Sequence, residues 1–125
     1  MKIEFDKIGT SVLENFKGGE KELSADMFFD GTNRIFKGRL IPGASIGLHT
    51  HDDSCEVIFI LSGTGTLTEI SPAENGQDNS GSTQDTDIQT VTAGDCLYCP
   101  KGHTHSLKNT AAESDLIFHA VVARQ

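Results

Sequence analysis

Short apolar runs, each closed off by a turn residue, constrain this chain more than any other feature. Apolar and β-branched residues gather in runs of a few positions, and Gly, Pro, Asn and Asp stand between them. The pattern predicts strands at Met27–Phe29, Arg34–Ile41, Ser45–His49, Glu56–Leu61, Gly65–Glu69, Ile88–Thr92, Cys96–Cys99, His105–Lys108 and Leu116–Val122. Asp30-Gly31 and Ser62-Gly63 are turn signals between neighbouring runs. Val12–Phe16 and the stretch around Glu20–Ala25 are the places left for a helical turn, and neither sustains a helical period. The expectation is an all-β sandwich or barrel, not a parallel α/β sheet.

A chain of 125 residues is one domain's worth, so residues 1–125 are expected to form a single unit. Ser71 to Asp87 differs from the rest. It is almost without apolar side chains and is expected to be a long, flexible connection. The formal net charge of −8 argues against nucleic acid and anionic membrane surfaces as partners, since both need a basic footprint. No apolar stretch approaches the ~20 residues of a membrane span. The start, Met1-Lys2-Ile3-Glu4-Phe5-Asp6, lacks the apolar run of a secretion signal, which points to the cytoplasm. Three cysteines, an odd count, speak against a disulfide framework. Cys96 and Cys99 have the spacing of a metal knuckle, but on a strand their side chains point to opposite faces. Buried free thiols are the expectation for them.

The chemistry lies in two blocks on either side of the polar segment. In the first, His49 and His51 are two apart, so on a strand both imidazoles project from one face. Glu56 opens the next apolar run and shares a face with Ile58 and Ile60. A carboxylate in that setting is costly unless paired, and two imidazoles converging with it on a cation meet that need. They are ligand types of open-sided zinc and non-haem iron sites. In the second block, Pro100 and Gly102 mark a tight turn, and His105 begins the strand after it as a fourth ligand.

These two blocks resemble the signature motifs of the cupin superfamily. Gly43, His49, His51, Glu56 and Gly63 occupy every fixed position of the first motif, and Gly94, Pro100, Gly102, His105 and Asn109 every fixed position of the second. The resemblance implies a cupin double-stranded β-helix, a jelly-roll β-barrel, with one divalent metal held inside by His49, His51, Glu56 and His105. It also implies a homodimer formed through edge strands, with Phe5 and Phe28-Phe29 available to cover the edge.

Manganese, iron or nickel would keep two positions open on such a ligand set, whereas zinc could close the site as a structural centre. The expected function is a metalloenzyme on a small organic acid, enol or sugar-like substrate, of dioxygenase, decarboxylase, cyclase or isomerase type. The alternative is a non-enzymatic, metal-dependent small-molecule binding or sensing protein. An enzyme needs a proton carrier over the open positions, and Tyr98 and His103 are the candidate catalytic residues. Packing for Tyr98 and a rim position for His103 are the plainer alternatives. Lys37 and Arg39 would bind an anion if they face inward, and a solvated outer face is the commoner case. His119 is expected to pack, and Asp52 and Asp53 to sit in a solvated loop.

Overall fold

In the computed structural model, residues 1–72 and 85–125 are described. Ten strands there form two sheets. The six-stranded sheet runs in the order β1 (Thr10–Glu14), β2 (Glu22–Phe29), β3 (Arg34–Leu40), β10 (Leu116–Arg124), β5 (Ser54–Ser62) and β8 (Cys96–Cys99). The four-stranded sheet runs β4 (Ser45–Thr50), β9 (Thr104–Asn109), β6 (Thr64–Ile70) and β7 (Thr86–Thr92). Every pairing is antiparallel. The two sheets face each other as a jelly roll.

Period-two burial explains the sandwich. On β3, Phe36, Gly38 and Leu40 are buried while Lys37 and Arg39 face solvent, so the basic pair lies on the outer face. On β5, Glu56, Ile58 and Ile60 point inward. Phe118 is fully buried and meets Phe36 edge-on at 6.0 Å between ring centres. A phenylalanine so enclosed contributes about 3–5 kcal/mol relative to alanine. His119 points outward from β10, where its ring lies 5.0 Å from that of Phe5. It packs, as expected.

The N-terminal stretch departs from the expectation of helical turns. Thr10–Glu14 is an edge strand, followed by a 3₁₀ turn at Phe16–Gly18. The stretch around Glu20–Ala25 belongs largely to β2, with Leu23 and Ala25 buried and Glu22, Ser24 and Asp26 alternating between them. Ladder pairing to β3 on one side and β1 on the other fixes that extended backbone. The polar connection expected over 71–87 is shorter than it looked. Thr86 and Asp87 pair with Ile70 and Glu69, and Ser71 N–H donates to the Asp85 carbonyl at 3.0 Å. Its centre, 73–84, lies outside the described residues. Cys55 and Cys99 are buried thiols, whereas Cys96 is exposed, so of the pair expected to be buried only Cys99 is. Burial pushes the Cys99 thiol up to about 12, so it stays protonated and inert.

Candidate metal centre

Three strands bring the four predicted ligands together. β4 carries His49, which stands directly across from His105 of β9. The register shifts between Ile46 and His49, and both side chains line the same cavity despite their odd spacing. Glu56 enters from β5. His51 lies just past the end of β4, where the turn between β8 and β9 grips it. Its N–H donates to the His103 carbonyl at 3.0 Å, and its own carbonyl accepts from Gly102 N–H at 2.6 Å.

The donor atoms of His49, His51, Glu56 and His105 all lie within 4.8 Å of one another. Glu56 Oε1 is 3.0 Å from His51 Nε2, 2.9 Å from His105 Nε2 and 4.0 Å from His49 Nε2. His51, Glu56 and His105 are buried, and His49 is partly so. The far sides of two rings are already engaged. His49 Nδ1–H donates to the Gly47 carbonyl at 2.8 Å, and His51 Nδ1 meets Ser54 Oγ at 2.8 Å. With its proton on Nδ1, neutral His49 presents a bare Nε2 lone pair to the cluster. One bare nitrogen lone pair, two further imidazoles and a carboxylate aimed at one point fit a cation.

The electrostatics agree with that fit. Burial alone would raise the Glu56 carboxyl, but its hydrogen bonds with His105 and His51 outweigh burial and hold it down at about 2. Burial pushes His49 below its ordinary value, which keeps the ring neutral and able to ligate.

The cluster forms the floor of a cavity of about 530 Å³. Leu13, Phe16, Met27, Phe36, Ile46 and Val122 supply apolar wall. Asp52 and Asp53, both exposed, stand at the mouth, and Asp53 lies 3.6 Å from the guanidinium of Arg124.

The two candidate proton carriers are elsewhere. Tyr98 is 55% exposed on the outer face of β8 and lines no part of the cavity, because Leu97 and Cys99 take the inward positions of that strand. His103 sits in the turn before β9, half-buried, with its Nδ1 enclosed and without a hydrogen-bond partner among the described residues. Its side chain is also absent from the cavity lining, and its visible contribution is the carbonyl that holds His51. Sequence reasoning missed Gly47 and Ser54, the two groups that orient the imidazoles. A carbonyl and a lone serine carry no signal in a sequence.

Residues 27–123 match a family model described as Cupin. The chain is 29% identical over 128 residues to an oxalate-binding protein of Thermotoga maritima, covering 98% of this chain and 93% of that protein. A crystal structure of a predicted oxalate decarboxylase from Thermotoga maritima superposes with a TM-score of 0.79 at 27% identity, over the whole of both chains. A conserved protein with a double-stranded β-helix domain from Klebsiella pneumoniae gives a TM-score of 0.65 at 16% identity, over 98% and 84% of the two chains. The last likeness concerns the fold alone.

Proposed function

The chain belongs to the cupin family, and from that premise we propose that it binds a small organic acid through one divalent metal ion. The observation that carries this reading is the convergence of three imidazoles and a carboxylate at the floor of an open cavity. His49, His51, Glu56 and His105 would hold manganese, iron, nickel or zinc. When bound, a six-coordinate ion offers two further positions to a carboxylate and its neighbouring oxygen. The Gly47 carbonyl and Ser54 keep the rings oriented, and the apolar walls limit water around the head of the acid. The name of the Thermotoga maritima relative supports an acid of the oxalate kind.

Binding is favoured over catalysis by the position of Tyr98 and His103, both off the cavity lining. The likeness to a predicted oxalate decarboxylase favours a second reading, an enzyme on the same class of acid. In that reading Asp52 or Asp53 at the mouth would exchange the proton. Calorimetric titration of oxalate into manganese-loaded protein, metal-free protein and His51→Ala tests the proposal, with formate and carbon dioxide assayed in parallel. Heat of binding in the loaded protein alone is the expected result. Equal affinity for the metal-free protein would sink the proposal, and product formation would select the second reading.

We further propose that residues 1–125 act as one unit in the cytoplasm, as a homodimer, with neither nucleic acid nor membrane as partner. Three free thiols and the net charge of −8 support the compartment and the missing partners. Phe59, Leu61 and Tyr98 support the dimer, because all three stand exposed on the outer face of the six-stranded sheet. Light scattering that finds a monomer at high concentration would remove it.

A further inference from the structure

We infer that the acid taken by this site carries an apolar body the size of a branched or aromatic side chain, seated on a wall that the N-terminal arm supplies. The inference rests on the metal-centred reading above and narrows its ligand class. Size is the first argument. A cavity of about 530 Å³ is of the volume that holds a drug-sized ligand, and oxalate on the metal would leave most of it to water.

The lining is the second argument. Leu13, Phe16, Met27 and Val122 pack on the hydrophobic core yet remain only partly buried, and all four line this cavity. These four incompletely covered apolar side chains thus face the space above the candidate metal ligands. Among the described residues, the charged groups of the lining other than Glu56 are Lys17, Arg34, Asp52 and Asp53, and all of these are exposed. A ligand matching this order has a chelating head, an apolar middle and contact with water at its outer end.

Part of the wall comes from the N-terminal stretch. Leu13 and Phe16 precede residue 27, where the family match begins. The candidate ligands lie within that match, and this part of the wall lies outside it, in a stretch shared with the Thermotoga maritima relative. The wall is also firmly seated. A Cβ on Gly47 would overlap the Lys17 carbonyl oxygen, and one on Gly19 would overlap the Ser45 carbonyl oxygen, so turn and strand touch backbone to backbone. A wall built that closely is a fixed surface for a ligand, not a loose end.

A series of α-oxo acids with one chelating head and a growing tail tests this: glyoxylate, pyruvate, ketoisocaproate and benzoylformate, with oxalate as reference. Each is titrated calorimetrically into manganese-loaded protein. Affinity should rise along the series, by about fourfold per buried methylene, so that benzoylformate binds at least about tenfold tighter than glyoxylate and oxalate. Phe16→Ser should shrink that gap, and Met27→Ser does the same test if the first variant misfolds, with circular dichroism reporting the fold. Equal affinity along the series, or oxalate as the tightest ligand, would overturn the inference and leave the metal-centred reading intact. Failure of every acid to bind protein whose manganese content elemental analysis has confirmed would overturn both.

Discussion

The carbonyl of Gly47 accepts the Nδ1–H of His49 at 2.8 Å, while the α-carbon of the same glycine lies against the backbone of Lys17. One residue therefore fixes the tautomer of a candidate metal ligand and seats the turn that carries Phe16 into the cavity. Glycine is required there by close approach.

Gly47→Ala follows directly from this contact. The added methyl overlaps the Lys17 carbonyl oxygen, so the 3₁₀ turn at Phe16–Gly18 must lift away from β4. Overpacking of this kind costs about 1–3 kcal/mol. The variant should unfold at lower urea and bind manganese more weakly, as the Gly47 carbonyl shifts under His49. An unchanged urea midpoint with full metal affinity would show that the turn is not held by this contact.

Metal loading gives a second expectation. Purified protein should hold one divalent ion per chain, and His51→Ala should hold none by elemental analysis. Ion at a hundredfold excess over its dissociation constant should stabilise the wild type by about 2.7 kcal/mol. Chelation should lower the melting temperature without unfolding the barrel, because Leu23, Leu40 and Phe118 form a core that needs no ion. Global unfolding on chelation would instead mark the centre as a structural one.

The candidate cluster was legible in the sequence because the chemistry of metal binding fixes the spacing of its residues. His49 and His51 are bound to share a face, and Glu56 stands out as a charge at the head of an apolar alternation. The direction of Tyr98 stayed open in the sequence for a related reason. Parity groups it with Cys96 and opposes it to Leu97 and Cys99, but parity does not say which group looks inward, and the structure turns Leu97 and Cys99 to the core. β1 was missed because it lies at a sheet edge, where only Leu13 of its five residues is even partly buried. The cavity wall was invisible for a third reason. Val122 lies far along the chain from Leu13, Phe16 and Met27, and nothing in the sequence brings β10 beside the N-terminal stretch.

Acid should weaken the metal-free protein in two stages. The first involves His49, which burial holds below its ordinary 6.5. Its neutral form is the one the fold favours, so that contribution is intact above 6.5 and declines as pH falls below it. The second involves Glu56, lowered from 4.5 to about 2. Its contribution is complete above 4.5 and is lost as pH falls from there toward about 2. Urea midpoints measured between about pH 7 and about pH 3 should therefore fall continuously, and Glu56→Gln should remove the lower stage. A midpoint that holds steady or rises with acid contradicts both shifts.

Asn109 closes the second motif without touching any metal ligand among its hydrogen-bond partners. It is fully buried, and its amide is fully used. Nδ2 donates to the carbonyls of Leu40 and Ser114, each at 2.8 Å, and Oδ1 accepts from Ala111 N–H at 2.9 Å. The side chain thereby ties the end of β3 to the connection between β9 and β10. Asn109→Asp keeps the shape but replaces the double donor with an oxygen facing two carbonyls. Leaving those acceptors unmet and burying a charge beside them should cost at least about 2–3 kcal/mol. Metal stoichiometry in the folded fraction should stay at one, since the variant leaves the ligand set intact. Thermal unfolding and elemental analysis on the same sample separate the two effects. Loss of metal without loss of stability would assign Asn109 to the site, and loss of stability with metal retained would assign it to the scaffold.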